Sequence, residues 1–246
     1  MKYSILIPYY KRALQLQSTL KSFDHFYRDR KDVEIILIID NKNNNQDMEN
    51  LSTVLDVFKH LSIIRVSGTQ MESFSPASNY NIGAKRADGE FLILTNPEAM
   101  HAVDIMKGVD EELEKSKDNY IVCSCLSVTS KYIPVEKLGS VDGKWYQHSN
   151  YRNTGCHFCS IISRENYKKI GGFSEEFSVG VGFDDDDFRN KVKQAGITFI
   201  YRDDLVTLHL FHEQASSDMD KFRHNQSLYY AKWGANCFSA GQLKIV

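Results

Sequence analysis

The 246 residues include only four prolines and two tryptophans, and neither charge is in excess: 30 Lys and Arg stand against 32 Asp and Glu, for a formal net charge of -2. Scattered cations without a surplus leave no electrostatic footprint for nucleic acid, so no nucleic-acid partner is expected. Five cysteines, an odd number spread over a long chain, argue against a disulfide framework and for a reducing compartment. Cys156 and Cys159 form a C-x-x-C, but no second pair stands at zinc-site spacing and no thioredoxin-like context surrounds them. Structural zinc and dithiol redox chemistry are therefore both disfavoured. No apolar run approaches membrane-spanning length, and the opening Tyr3-Ser4-Ile5-Leu6-Ile7-Pro8 lacks the longer apolar segment and cleavage site of a signal peptide. The expectation is a cytoplasmic protein with no integral membrane segment, leaving room for peripheral membrane contact. No Pro- or Gly-rich linker, repeat or low-complexity tract divides the chain, which reads as one domain, 1–246. No G-x-G-x-x-G follows the first apolar run, which disfavours a redox dinucleotide.

What is present is ample apolar content, 42% of residues, arranged in short runs that alternate with helical patterns. That alternation is the mark of β-α-β units and an α/β fold with a mainly parallel central sheet flanked by helices. Strands are expected at 3–8, 33–39, 61–66 and 91–94, and a helix at 76–87. The run at 33–39 is continuously apolar, as in a central strand covered on both faces. Beyond residue 100 the pattern predicts a helix at 104–115, a strand at 120–128 and a loop-rich stretch at 132–155. Two short strands at 198–201 and 205–211 follow, then a helix carrying Met219, Phe222, Tyr229 and Trp233 that stops at Gly234.

Chemistry concentrates in two places. Four adjacent carboxylates, Asp184 to Asp187, open a helix carrying Phe188, Val192 and Ala195. A cap at Asp184 closed by Asp187 would account for two of them. Four acids in one turn also suit a cation or a reaction that needs a base. The other concentration is at the carboxyl ends of the strands, where open parallel sheets bind ligands. Those ends read Pro8-Tyr9-Tyr10-Lys11-Arg12, Asp40-Asn41, Ser67-Gly68 and Thr95-Asn96-Pro97-Glu98. Asp40 can accept hydrogen bonds from a nucleoside, although Asp and Asn also begin ordinary turns. Glu98 with His101, and the later His209 and His212, offer a carboxylate and imidazoles that suit a borderline cation such as manganese.

In this order the segments resemble the inverting family-2 glycosyltransferases of the GT-A (Rossmann-like) fold. Ser4 to Arg12 is similar to their S-I-V-I-P-T-Y-N-R opening, and Ile36 to Asp40 to the strand ending in V-V-D-D. Ser78 to Lys85 with Asp88-Gly89-Glu90-Phe91 is similar to A-R-N-x-G and G-E-Y-I, and Gly171 to Phe177 with Gly182 to Phe188 to G-G-F-D-E-x-F and the E-D-x-D box. The resemblance spans roughly residues 3–212. It implies a nucleotide-sugar-binding half at about 1–100, an acceptor and catalytic half at about 101–215, and a C-terminal helix and tail at 216–246. It implies transfer of a sugar with inversion, from a nucleotide diphosphate donor expected to be a UDP-sugar, to a glycan or glycolipid hydroxyl in polysaccharide biosynthesis. Asp185 would be the general base and Asp184 a contact to the sugars. Donor residues would be Pro8, Tyr10, Arg12, Asp40, Asn81, Lys85 and Asn96, and acceptor residues Trp145, Gly155 and Asp184. A divalent metal, Mn2+ or Mg2+, would sit on Glu98, His101 and His209, with His212 as the alternate. The chain departs from the family where Asn96-Pro97-Glu98 replaces the metal-binding D-x-D, and Asn41 the second Asp of V-V-D-D. A non-catalytic nucleotide-sugar or glycan-binding module, or a sugar-nucleotide nucleotidyltransferase, are the alternatives. The second would want a Gly-rich loop after strand one, which Tyr9 to Arg12 is not.

Overall fold

The computed structural model describes residues 1–71, 75–155, 158–213 and 218–239. The first half is built as the pattern predicts: β1 (Tyr3–Tyr9), α1 (Ala13–Tyr27), β2 (Val33–Ile39), α2 (Asn45–Val57), β3 (Ile63–Ser67), α3 (Pro76–Arg86) and β4 (Phe91–Thr95). Local chemistry sets the helix starts. Asn44 and Asp47 close a capping box on α2, and Ser75 caps α3 with Pro76 in its first turn. β2 alternates its apolar side chains between two cores, as a strand with helices on both faces must. Ile35 and Leu37 face α1 and α2 with Leu16, Leu20 and Phe23, whereas Ile36 and Ile38 face α3 with Tyr80 and Ala84.

The second half adds β5 (Ala99–His101), α4 (Ile105–Lys115), β6 (Asn119–Ser127), β7 (Lys144–Gln147), β8 (Cys159–Ser163), α5 (Arg164–Lys169), α6 (Asp184–Gln194), β9 (Thr198–His209) and α7 (Met219–Trp233). The described strands form one sheet in the order β3-β2-β1-β4-β8-β6-β9-β5, with β7 alongside β6. The block β3-β2-β1-β4 is parallel throughout. β8 then enters antiparallel between β4 and β6, and β6 runs parallel to β9. Two expectations change here. The loop-rich stretch at 132–155 contains β7, and the two short strands after 198 are a single strand of twelve residues. The polar interruption that seemed to divide it, Asp203-Asp204, is a register shift opposite Cys123 and Ser124, where Asp203 accepts from the Ser149 backbone N–H at 2.9 Å. Among the described residues no helix is long and apolar enough to cross a membrane. Cys156, half of the C-x-x-C, lies outside the described residues.

Candidate active site

The carboxyl end of β1, the start of α1 and part of α2 open onto a cleft of about 940 Å³, bounded across from them by the start of α6 and the residues leading into α7. Tyr10, Arg12, Ser75, Asp184 and His212 are among its walls. β1 ends in a left-handed turn at Lys11, φ 55°, whose backbone N–H donates to Asn43. That turn delivers Arg12 to the cleft, where its guanidinium pairs with the buried Glu98. Pro8 stays within β1 as the partner of Ile38.

Glu98 precedes β5, and its Oε1 lies 3.8 Å from His209 Nε2 and 3.7 Å from His212 Nε2. Its Oε2 is buried and makes no hydrogen bond among the described residues. One ligand atom from each of the three residues falls within 4.8 Å of the others. Burial pushes the His209 imidazole down to about 4, so its ring is neutral and its lone pair available near pH 7. A carboxylate and two imidazoles suit Mn2+ or another borderline cation, so the residues fit a divalent metal. Both histidines reach Glu98, where the sequence favoured His209 with His212 as the alternate.

His101 is not part of this group. Three residues beyond Glu98, which sits in the Asn96–Ala99 turn, it ends β5 with its ring against Phe23 and Tyr27 of α1. Its Nδ1 lies 2.7 Å from the Tyr27 hydroxyl, and complete burial holds its pKa at about 3. It is a core residue, which corrects its reading as a metal ligand.

α6 begins at Asp184 itself. The residue before it, Phe183, is left-handed with φ 65° and makes no side-chain cap, so the N-cap reading of Asp184 gives way. Asp184 faces the cleft and Asp185 is half-buried beside it. Asp186 accepts from Ser239 at 3.0 Å and pairs with Arg189 at 3.4 Å. Asp187 is fully buried and accepts from Ser174, Trp233 and Lys232 at 2.6, 2.8 and 2.8 Å, which ties α6 to α7. Tyr80 of α3 joins the two sides of the site. Its hydroxyl donates to the Thr95 carbonyl at 2.7 Å, and burial, then the charges of Asp185 and Glu98, raise its pKa far above the usual phenol range.

Asp40 is buried at the end of β2 and accepts from the Lys42 backbone N–H at 3.0 Å and from Asn79 at 3.3 Å. Asn96 accepts from Tyr80 at 2.9 Å. Other sequence candidates are placed elsewhere. Asn81 bonds both backbone polar groups of Phe173 and the Tyr167 hydroxyl, bracing the Gly171-Gly172-Phe173 turn, and it borders a separate smaller groove with Lys85. Neither lines the large cleft. Gly155, φ 67°, donates its N–H to Gln147 and packs against Arg189. Trp145 stacks on Tyr151 and meets His148, while the next residue along β7, Tyr146, lies against His209 with ring centres 5.7 Å apart. Tyr146 is thus the aromatic ring of β7 on the site side. Sequence reading missed Tyr80, Trp233 and Lys232. Tyr80 stood inside the Ser78-Asn79-Tyr80-Asn81 match, and nothing local marked the other two.

The sequence profile of the family described as the N-terminal domain of galactosyltransferase matches residues 142–213, a stretch containing β7, α6 and His209. A search of curated protein sequences returns no match. Among solved structures, S. aureus TarS 1-349 in complex with UDP-GlcNAc aligns with 94% of this chain and 66% of its own, at 15% identity and a TM-score of 0.71. The mannosyltransferase PcManGT from Pyrobaculum calidifontis, in complex with GDP-Man and Mn2+, aligns with 94% of this chain and 63% of its own, at 14% identity and a TM-score of 0.64. This chain therefore spans less than two thirds of the length of either. The fold is GT-A, the mixed α/β sheet of nucleotide-sugar transferases.

Proposed function

We propose that this protein is an inverting glycosyltransferase that moves a sugar from a UDP-sugar to a hydroxyl of a glycan or glycolipid. One observation carries the reading: His212 of the Glu98, His209 and His212 cluster and Asp184 at the acidic start of α6 line one cleft, and the buried Tyr80 hydroxyl feels the charges of both Glu98 and Asp185. The fold's relatives include proteins solved with UDP-GlcNAc and with GDP-Man, which supports a nucleotide-sugar donor.

Asp40 would accept from the nucleoside, and Asp184 would hydrogen-bond a sugar hydroxyl. Asp185 takes the proton of the acceptor hydroxyl as that oxygen attacks the anomeric carbon, while the bond to the diphosphate breaks on the opposite face. Inversion follows from a single in-line displacement. Glu98, His209 and His212 would hold a divalent cation, which when bound supplies positive charge against the departing diphosphate.

The test is transfer from UDP-sugars with the product's anomeric configuration read by NMR, in wild type and Asp185→Asn. Loss of a general base predicts a fall of about 10²- to 10⁴-fold in the variant, with UDP-induced thermal stabilisation retained. A product with retained configuration, or an active Asp185→Asn, refutes the mechanism. Stabilisation by UDP-sugars with no turnover in wild type would favour a binding module instead.

A further inference from the structure

Glu98 Oε1 faces several partners at once. The oxygen nearest both imidazoles, Oε1, is the one that takes the Arg12 guanidinium, and the side chain is only 4% exposed. A divalent ion brought to Oε1 would meet an arginine already on that oxygen, two kinds of positive charge sharing one buried negative charge. Arg12 has the freedom to leave. It stands at the N-cap of α1 but makes no side-chain capping bond, and Glu98 is the partner its guanidinium has among the described residues. It also lines the cleft, so a turn of its side chain brings it into the space the donor would fill.

We infer that Arg12 is an exchangeable occupant of the cation site: a divalent cation displaces its guanidinium from Glu98, and the released guanidinium turns onto the diphosphate of the donor. The inference rests on the cation site of the proposed function and adds an order to it. Because a guanidinium matches phosphate oxygens with paired hydrogen bonds, the donor rewards the displacement that the cation requires. Metal and nucleoside diphosphate thus bind with positive coupling, and Arg12 is the positioning residue that produces it.

Calorimetric titration of the full chain with Mn2+, with and without UDP, tests this in wild type and Arg12→Met. A lost hydrogen bond to a charged group predicts that Mn2+ alone binds Arg12→Met at least about tenfold more tightly than wild type. UDP should then tighten Mn2+ binding to wild type by more than it does to the variant. Arg12→Lys, which keeps the charge on Glu98 without the fork, provides a second folded comparison and should fall between them. Equal Mn2+ affinities in wild type and both variants overturn the exchange while leaving the cation site standing. No Mn2+ binding by any form, with or without UDP, removes the cation site and the exchange together.

Discussion

Replacing Asp187 should loosen the C-terminal helix and, through it, the proposed base Asp185. Its carboxylate is fully buried and holds Ser174 and Trp233 at 2.6 and 2.8 Å, with Lys232 at 2.8 Å. Burial works against the Lys232 ammonium, yet its hydrogen bonds to Asp187 and Glu176 outweigh it and keep the lysine protonated. Each buried hydrogen bond to a charged group is worth about 1.5–3 kcal/mol, and these bonds are not additive. Lys232 is 34% exposed, so its share is discounted to about 1 kcal/mol or less. Asp187→Ala should therefore cost about 3–5 kcal/mol, the range for removing one partner of a buried charged group. Asp187→Asn, which keeps one acceptor oxygen, should cost less. The chain has two tryptophans, so a Trp145→Phe background leaves Trp233 as the sole indole reporter. Urea unfolding followed by Trp233 emission should show a lower midpoint and a red-shifted folded baseline in Asp187→Ala. Transfer should fall in parallel, because Asp185 lies in the same turn of α6 and Phe183 offers no side-chain cap to hold it. A cost below about 1 kcal/mol with unchanged emission would refute the tether.

The other predictions concern the core and the donor end. His101 is neutral when folded down to about pH 3 but titrates near its ordinary value when unfolded, so the unfolded chain binds the extra proton in between. Its contribution is complete above about pH 6.5 and is lost as the pH falls toward 3, at up to about 1.4 kcal/mol per unit. Between pH 6.5 and 5, wild type should lose about 2 kcal/mol more stability than His101→Gln in urea titrations, and equal losses would contradict its burial as neutral imidazole. At Gly68 an added Cβ would stand 2.5 Å from Asn79 Oδ1 and 2.9 Å from the Ile39 carbonyl, forcing Asn79 away from Asp40. Gly68→Ala should cost about 1–3 kcal/mol and reduce UDP-induced stabilisation. Gly139→Ala, whose Cβ meets nothing within 4 Å, is the control, and unchanged UDP stabilisation in Gly68→Ala would detach Asp40 from the nucleoside.

The parts legible in the sequence were those whose cause is local. Ile35 and Ile36 face opposite cores because a strand alternates, and Ser75-Pro76 starts a helix wherever it is placed. β8 could not be read the same way. Cys159–Ser163 is a short apolar run whose antiparallel place between β4 and β6 depends on contacts far away in sequence. His101 misled for a related reason. Nearness to Glu98 in sequence suggests a shared ligand, but Glu98 sits in the Asn96–Ala99 turn whereas His101 ends β5 and packs against α1. His212 was placed second because the chain leaves β9 after His209, and only the irregular segment that follows brings its ring back to Glu98.

The four aspartates show how helix geometry divides a run of like charges. At 3.6 residues per turn, neighbours point roughly 100° apart, so acids at four successive positions face different directions and cannot all serve one ligand. Asp184 goes to the cleft, Asp186 to Ser239 and Arg189, and Asp187 to Trp233 and Lys232. Two of the four charges are thus spent holding the C-terminal segment, and they lie in the same turn as Asp185. The proposed base Asp185, positioned this way, depends on α7 being docked. Any change that releases Trp233 from Asp187 should therefore reduce transfer even though no atom of α7 need touch the substrate.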